Sequence, residues 1–195
     1  MIKVGITGGI GSGKSLICQV FSQLKVPVYY ADIAAHLLSE TDPEIRHGLI
    51  TLLGGDIYNG RSMNKILMAE LIFNDKSLLE KVNQIIHPMV TAHFNEWCAN
   101  HAACQYVIEE SAILFESNAY LAFDKIITVT APEDIRIQRV ISRKNMTLEK
   151  VKAIIKNQLP DKEKIMRSHY IIINDGKKLV IPQVLELHQS FITLS

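Results

Sequence analysis

The chain has 195 residues, 21 Lys and Arg against 20 Asp and Glu, and 48% hydrophobic residues. That length suits one domain, or one domain carrying a helical insertion, and the balance of apolar and charged residues excludes wholesale disorder. A net charge of +1 gives no global attraction to nucleic acid or to an acidic membrane, and no apolar run approaches the ~18 residues of a membrane span. The opening Met1-Ile-Lys-Val-Gly-Ile6 lacks the long apolar core of an export signal. Cys18, Cys98 and Cys104 have no metal-ligand spacing. Both features lead us to expect a cytoplasmic protein with free thiols.

Ile2 to Thr7 is short, β-branched and almost uninterrupted, as a strand buried on both faces would be. Five of the 10 glycines crowd between residues 5 and 13. A helix follows from Lys14 to Leu24, with Ile17, Val20, Phe21 and Leu24 on one face. Val26 to Ala31 reads as a second strand, and Ile33 to Leu38 as the start of another helix. Residues 42–100 carry mostly helical patterns, such as Leu78, Val82, Ile85 and Met89, and read as a helical insertion. Pro88 lacks a backbone N–H, so the helix through His87 is expected to break or restart there. Gln105 to Ile108, Lys125 to Thr130 and His169 to Ile173 supply three more strands. Leu179 to Ile192 closes the chain as a helix. Strands alternating with helices indicate an α/β fold with a parallel sheet.

Residues 8–15 read Gly8-Gly9-Ile10-Gly11-Ser12-Gly13-Lys14-Ser15, which is G-x-x-x-x-G-K-[ST] in full, between a strand and a helix. Glycines let successive backbone N–H groups turn inward on a phosphate, and the helix dipole adds positive potential. Lys14 offers a charge to the β and γ phosphates, and Ser15 a hydroxyl to Mg²⁺. At average composition the pattern arises by chance in roughly one such chain per hundred. The dinucleotide pattern G-x-G-x-x-G fails, because Lys14 stands three residues after Gly11. No N-K-x-D segment reads guanine.

A kinase also needs a carboxylate near the acceptor and cations for the moving phosphoryl group. Asp32 follows the second strand, at the edge where open α/β sheets bind ligands. It is equally readable as a catalytic base and as a helix N-cap. Residues 131–170 hold 10 basic side chains against five acidic ones. Arg136, Arg139 and Arg143 share one helix face, either a solvated basic face or a lid over phosphates. His87-Pro88 reads first as a helix boundary. Glu109 and Glu110 end the third strand, where a carboxylate can reach Mg²⁺ through water.

Together these pieces resemble the dephospho-coenzyme A kinase family along the whole chain. The resemblance is carried by Ile6-Thr-Gly-Gly-Ile-Gly-Ser-Gly-Lys-Ser15, Ala31-Asp32, Ile86-His-Pro88, Glu109-Glu-Ser-Ala-Ile-Leu-Phe-Glu116, Gln138-Arg139 with Arg143, Ile155-Lys-Asn-Gln158 and Ile173-Asn-Asp-Gly176. It implies a P-loop kinase three-layer sandwich with a five-stranded parallel core, at about 1–41, 101–131 and 168–195. It implies a coenzyme A-binding insertion at about 42–100 and a lid at about 132–167. Mg²⁺-ATP would be the donor and the 3′-hydroxyl of dephospho-coenzyme A the acceptor. Asp32, Lys14 and Arg139 would be catalytic. Gly8, Gly9, Gly11, Ser12, Gly13, Lys14, Ser15, Leu16, Arg143, Asn174 and Gly176 would bind ATP, with Ser15 on the metal. Thr7, Asp32, His87 and Pro88 would meet the substrate. No nucleic-acid or membrane partner is implied, and the chain would be a monomer or weak homo-oligomer. It departs from the family at Tyr30 and His36, where Asp and Arg are usual, and at Ala112 and Ser168-His169. Two other readings fit a phosphate loop: a kinase for a nucleoside monophosphate or sugar, and a regulatory nucleotide-binding module.

Overall fold

The computed structural model describes residues 1–73, 75–144 and 146–194. The chain divides into two compact units, one of residues 1–30 with 101–195 and one of residues 31–100.

The first unit is built on β1 (Ile2–Thr7), followed by α1 (Lys14–Gln23) and β2 (Val28–Tyr30). The second unit occupies the chain up to Asn100 and contributes α2 (Ala31–Thr41), α3 (Pro43–Leu53), a hairpin of β3 (Tyr58–Asn59) with β4 (Ser62–Met63), α4 (Lys65–Phe73) and α5 (Lys76–Ala99). The first unit then resumes with β5 (Tyr106–Glu110), β6 (Lys125–Thr130), α6 (Glu133–Lys144), α7 (Leu148–Asn157), α8 (Asp161–Arg167), β7 (Tyr170–Ile173) and α9 (Val180–Leu194). Its five strands lie in the order β2-β5-β1-β6-β7, all parallel. The central β1 pairs Ile2 with Tyr106 and Thr7 with Thr128. Val4, Ile6, Ile108, Ile127, Val129 and Ile172 of the sheet pack on Ile17, Phe21, Val184 and Phe191 of α1 and α9. The near-continuous apolar strands therefore mark a sheet covered on its faces, as expected.

Gly5 stands mid-strand because of what lies on it. A Cβ there would come within 2.7 Å of Leu114 Cδ2 and 3.3 Å of the Phe123 ring. Both belong to a small core around Leu114, Phe115 and Ile126.

In the second unit, Asp42 caps α3, accepting from Glu44 N (2.9 Å) and Ile45 N (3.0 Å), with Pro43 in the first turn. Ile45, Leu49, Ile57, Met68 and Val82 form the core. Arg46 lies 4.1 Å from the Tyr58 ring centroid and donates to the Gly60 and Arg61 carbonyls, which fixes the hairpin turn.

Three expectations change. The insertion begins at Ala31, not at about 42, because α2 packs with α3 and α5. The second strand ends at Tyr30, and Ala31 already starts α2. Helix α5 does not break at Pro88. A proline removes one bond of the ladder and leaves its neighbours in place. Ile85, Ile86 and Met89 around it pack on the unit's core, and that tertiary burial outweighs the local cost.

Gly5→Ala is expected to lose about 1–3 kcal/mol, because Leu114 is fully buried and has nowhere to move. An unchanged denaturant midpoint would show that the Leu114 side chain yields freely.

Candidate functional site

The phosphate loop leaves the carboxyl end of β1 and enters α1, as its sequence demands. Gly11 and Gly13 hold φ values of 78° and 95°, which favour glycine. A methyl at Gly9 would run into the Arg136 guanidinium, one at Gly11 into the Arg136 backbone, and one at Gly13 into the Asn174 amide. The loop is therefore shaped by its neighbours as much as for a phosphate.

Lys14 Nζ donates to the Gly8 carbonyl at 2.9 Å and lies 3.8 Å from Glu110 Oε1. Glu110 reaches this place because it ends β5, opposite Ile6 of β1. The ammonium is thus held at the loop's mouth by a carboxylate. Ser15 and Leu16 lie exposed in the first turn of α1. Thr7 and Ser12 are fully buried, and their hydroxyls have no hydrogen-bond partner among the described residues. Unpaired buried hydroxyls beside a glycine cradle fit an anion that completes them. Cys18, one turn beyond Lys14, is an unreactive thiol: burial first, then the Glu110 charge, push its pKa far above the ordinary range.

The three arginines of α6 share a face but not an environment. Arg136 is 5% exposed and pairs with Asp161 (3.5 Å) and Glu133 (3.9 Å), so it is no solvated charge. Arg139 reaches Gly11 O (3.5 Å) and Asn174 Oδ1 (3.4 Å). Arg143 is exposed. Asn174 in turn donates from Nδ2 to Ser12 O at 2.8 Å, and its backbone N–H bonds Thr130 O. The structure thus brings Arg139, Asn174 and the loop together. Gly176, at φ 79°, forms the turn beyond, where Asp175 accepts from the N–H groups of Lys177 and Lys178. Those bonds hold the Asp175 carboxyl below its usual range.

Two contacts had no counterpart in the spacing arguments. Gln158 Oε1 accepts from Ile10 N at 2.9 Å, across 148 residues of sequence. Lys164, fully buried, pairs with Glu116 at 2.9 Å, and Glu116 also accepts from Leu159 N. Only the helical periods of single elements are visible in sequence, and these bonds join different elements. A cavity of about 630 Å³ beside them is lined by Thr130, Pro132, Arg136, Ile155, Gln158 and Asp161, among others.

In the second unit, Asp32 is exposed and is the second residue of α2. It stands inside the first turn, so it is not the N-cap that sequence allowed. His87 is half-buried and Pro88 exposed on α5. His169 sits elsewhere, its Nδ1 accepting from Ile126 N at 3.1 Å. Among the described residues no three His, Cys, Asp or Glu side chains cluster as a metal site would. The Ser15 hydroxyl and the Glu110 carboxylate are hard oxygen donors of the kind Mg²⁺ takes together with phosphates and water.

The profile of the family described as dephospho-CoA kinase matches residues 2–179. This chain belongs to that family. Its dephospho-CoA kinase relative from Bacteroides fragilis strain YCH46 is 41% identical over 186 residues, 95% of this chain and 91% of the relative. The one from Chlorobaculum tepidum is 34% identical over 202 residues, 99% of this chain and 96% of the relative. Among solved structures, TT1252 from Thermus thermophilus superposes with a TM-score of 0.87 at 27% identity, covering 97% of this chain and 96% of that one. Shikimate kinase from Bacteroides thetaiotaomicron shares the fold at 0.53 and 14% identity, covering 98% of each chain. The chain is therefore a P-loop kinase, and no helix of it is long and apolar enough to cross a membrane, among the described residues.

Burial lowers the His87 pKa from its ordinary 6.5. The unfolded chain then takes up that proton first, so the His87 contribution is present above pH 6.5 and is lost as pH falls through the lowered folded value. His87→Gln is expected to flatten the loss of stability as pH falls below 6.5, read from denaturant midpoints. An identical pH slope in the variant would mean that His87 is as well solvated as a free histidine.

Proposed function

We propose that this chain transfers the γ-phosphoryl group of Mg²⁺-ATP to the 3′-hydroxyl of dephospho-coenzyme A, giving coenzyme A and ADP. What carries the reading is the phosphate loop with Lys14 poised between Gly8 and Glu110, in a chain that matches this kinase family over residues 2–179.

Lys14 exchanges Glu110 for the β and γ phosphates, which meet the backbone N–H groups of Gly9, Gly11, Gly13 and Ser15, with Ser12 and Leu16 in the same loop and first turn. Ser15 would hold Mg²⁺, with Glu110 or Glu109 reaching it through water, and the ion would supply charge neutralisation at the phosphates. Arg139 and Arg143 belong to a lid of about residues 132–167, while Asn174 and Gly176 flank the adenine. Thr7, His87 and Pro88 serve the acceptor, for which residues 31–100 form the coenzyme A-binding unit. Asp32 is the base. A ribose hydroxyl is a weak nucleophile, and its proton must leave as the bond to phosphorus forms. A carboxylate just past the end of β2 orients the hydroxyl early and takes the proton late. The reaction belongs to the cytoplasm, where free thiols such as Cys18, Cys98 and Cys104 stay reduced, and to a monomer or weak homo-oligomer.

The direct test is ADP release with dephospho-coenzyme A as sole acceptor. Turnover only with a nucleoside monophosphate or a sugar would replace the acceptor in this reading; ATP binding without turnover would make the chain a regulatory module. Asp32→Asn keeps the shape but cannot accept the proton. It is expected to bind both substrates nearly normally, to keep its melting temperature, and to turn over about 100-fold or more slowly. Unchanged turnover in that variant removes Asp32 as the base.

A further inference from the structure

Gln158 is the residue whose placement the phosphate loop and the arginines leave unexplained. It closes α7 in extended conformation, and its side chain turns to the crest of the phosphate loop. The Ile10 N–H can only donate, so the carboxamide oxygen faces it at 2.9 Å and the orientation of the group is fixed by chemistry. The Nε2 end makes no hydrogen bond among the described residues, which leaves two N–H donors beside the loop.

The backbone that carries Gln158 is tied down on its C-terminal side by three anchors, two of which meet at one oxygen of Glu116. Leu159 N donates to Glu116 at 2.8 Å. Asp161 accepts from Thr130 Oγ1 at 3.1 Å through one oxygen and pairs with Arg136 at 3.5 Å through the other. Lys164, fully buried, pairs with Glu116 and donates to Ala112 O. Two buried cations are expensive to hold, and here they hold the strap that carries one neutral side chain. Supporting bonds of this kind are what fix a reacting group to within a fraction of an ångström. The same side chain also lines the 630 Å³ cavity, together with Thr130, Arg136 and Asp161.

We propose that Gln158 is a catalytic residue of the kinase reaction: with its oxygen pinned by Ile10, its Nε2 donates to an oxygen of the γ-phosphoryl group during transfer. In that step the acceptor oxygen bonds to γ-phosphorus, the bond from γ-phosphorus to the bridging oxygen breaks to release ADP, and the hydroxyl proton goes to the base. Charge on the equatorial oxygens must be met as the group moves. Lys14 and Arg139 supply cations. A carboxamide supplies direction without adding a further positive charge that would hold the product. This assignment rests on the function proposed above.

The experiment compares wild type, Gln158→Ala and Gln158→Glu for turnover with dephospho-coenzyme A, for ATP dissociation constant without acceptor, and for melting temperature. Glutamate still accepts from Ile10 N–H but has no donor. The expectation is that both variants fold, that Gln158→Ala binds ATP within a few-fold of wild type while the Gln158→Glu carboxylate weakens it by repulsion but by less than it lowers kcat, and that kcat falls about 100-fold in each. Near-normal kcat in Gln158→Glu would reduce the residue to a brace for Ile10 and overturn the donor role. Near-normal kcat in Gln158→Ala would overturn any role in transfer. A weakening of ATP binding as large as the loss of kcat would place the contact in the ground state and overturn it too. If wild type itself releases no ADP with dephospho-coenzyme A, the kinase assignment fails instead, and the two failures are told apart in one assay.

Discussion

The crest of the phosphate loop lies in backbone contact with its surroundings, and most of the first unit is arranged to permit that. Side chains at Gly8, Gly9, Gly11 or Gly13 would strike Val129 of β6, Arg136 of α6 or Asn174 after β7. A loop that wraps a phosphate with N–H groups has its carbonyls turned outward, and those carbonyls need partners as well. Asn174 takes Ser12 O, Arg139 takes Gly11 O, and Lys14 takes Gly8 O. The glycines let these donors approach. The same bonds that satisfy the outer face hold the inner face open for an anion.

Charge follows the same logic. Lys14 and Arg136 are both nine-tenths or more covered, and each has a carboxylate at hand, Glu110 for the first and Asp161 for the second. A buried cation without a partner costs several kcal/mol, so each of these is given a carboxylate of its own. The distances differ in a way that suits different tasks. Lys14 stands 3.8 Å from Glu110, near the outer limit of an ion pair. Lys164 stands 2.9 Å from Glu116, with two further bonds around the pair, and is structural. Breaking that second pair from one side would cost about 3–5 kcal/mol.

Sequence carried the layout of the sheet because the strands are short apolar runs with turns between them. It also carried the phosphate loop, because function there is written in contiguous residues. Its errors have physical causes. Pro88 obeys a local rule that burial of Ile85, Ile86 and Met89 overrides. The hairpin of Tyr58–Asn59 with Ser62–Met63 is too short for a period of two to show, and an arginine 12 residues before its first strand supports it. Ala31 ends an apolar run in sequence yet begins a helix, since pattern reveals burial before it reveals dihedral angles. Periodicity put Arg136, Arg139 and Arg143 on one face correctly. Their different fates depend on Asp161, Asn174 and solvent, which lie on other elements and are invisible to any window along the chain.

Gln158 shows the limit most clearly, and also where the missing information resides. Ile155-Lys-Asn-Gln158 carries part of the family resemblance, yet composition and periodicity alone leave Gln158 a polar helix end with no role. Its importance becomes readable only from the cost of what surrounds it. Glu116, Arg136, Asp161 and Lys164 are charged side chains drawn from three places in the chain, the last two from one helix. Placing them beneath a surface loop lowers stability unless each finds its partner. All of them converge on residues 159–164, directly behind one carboxamide. A fold that needed only to cover its sheet would achieve this with leucines. Ion pairs with fixed geometry define position more sharply than apolar packing does, and position is what a transferring phosphoryl group requires of the groups around it.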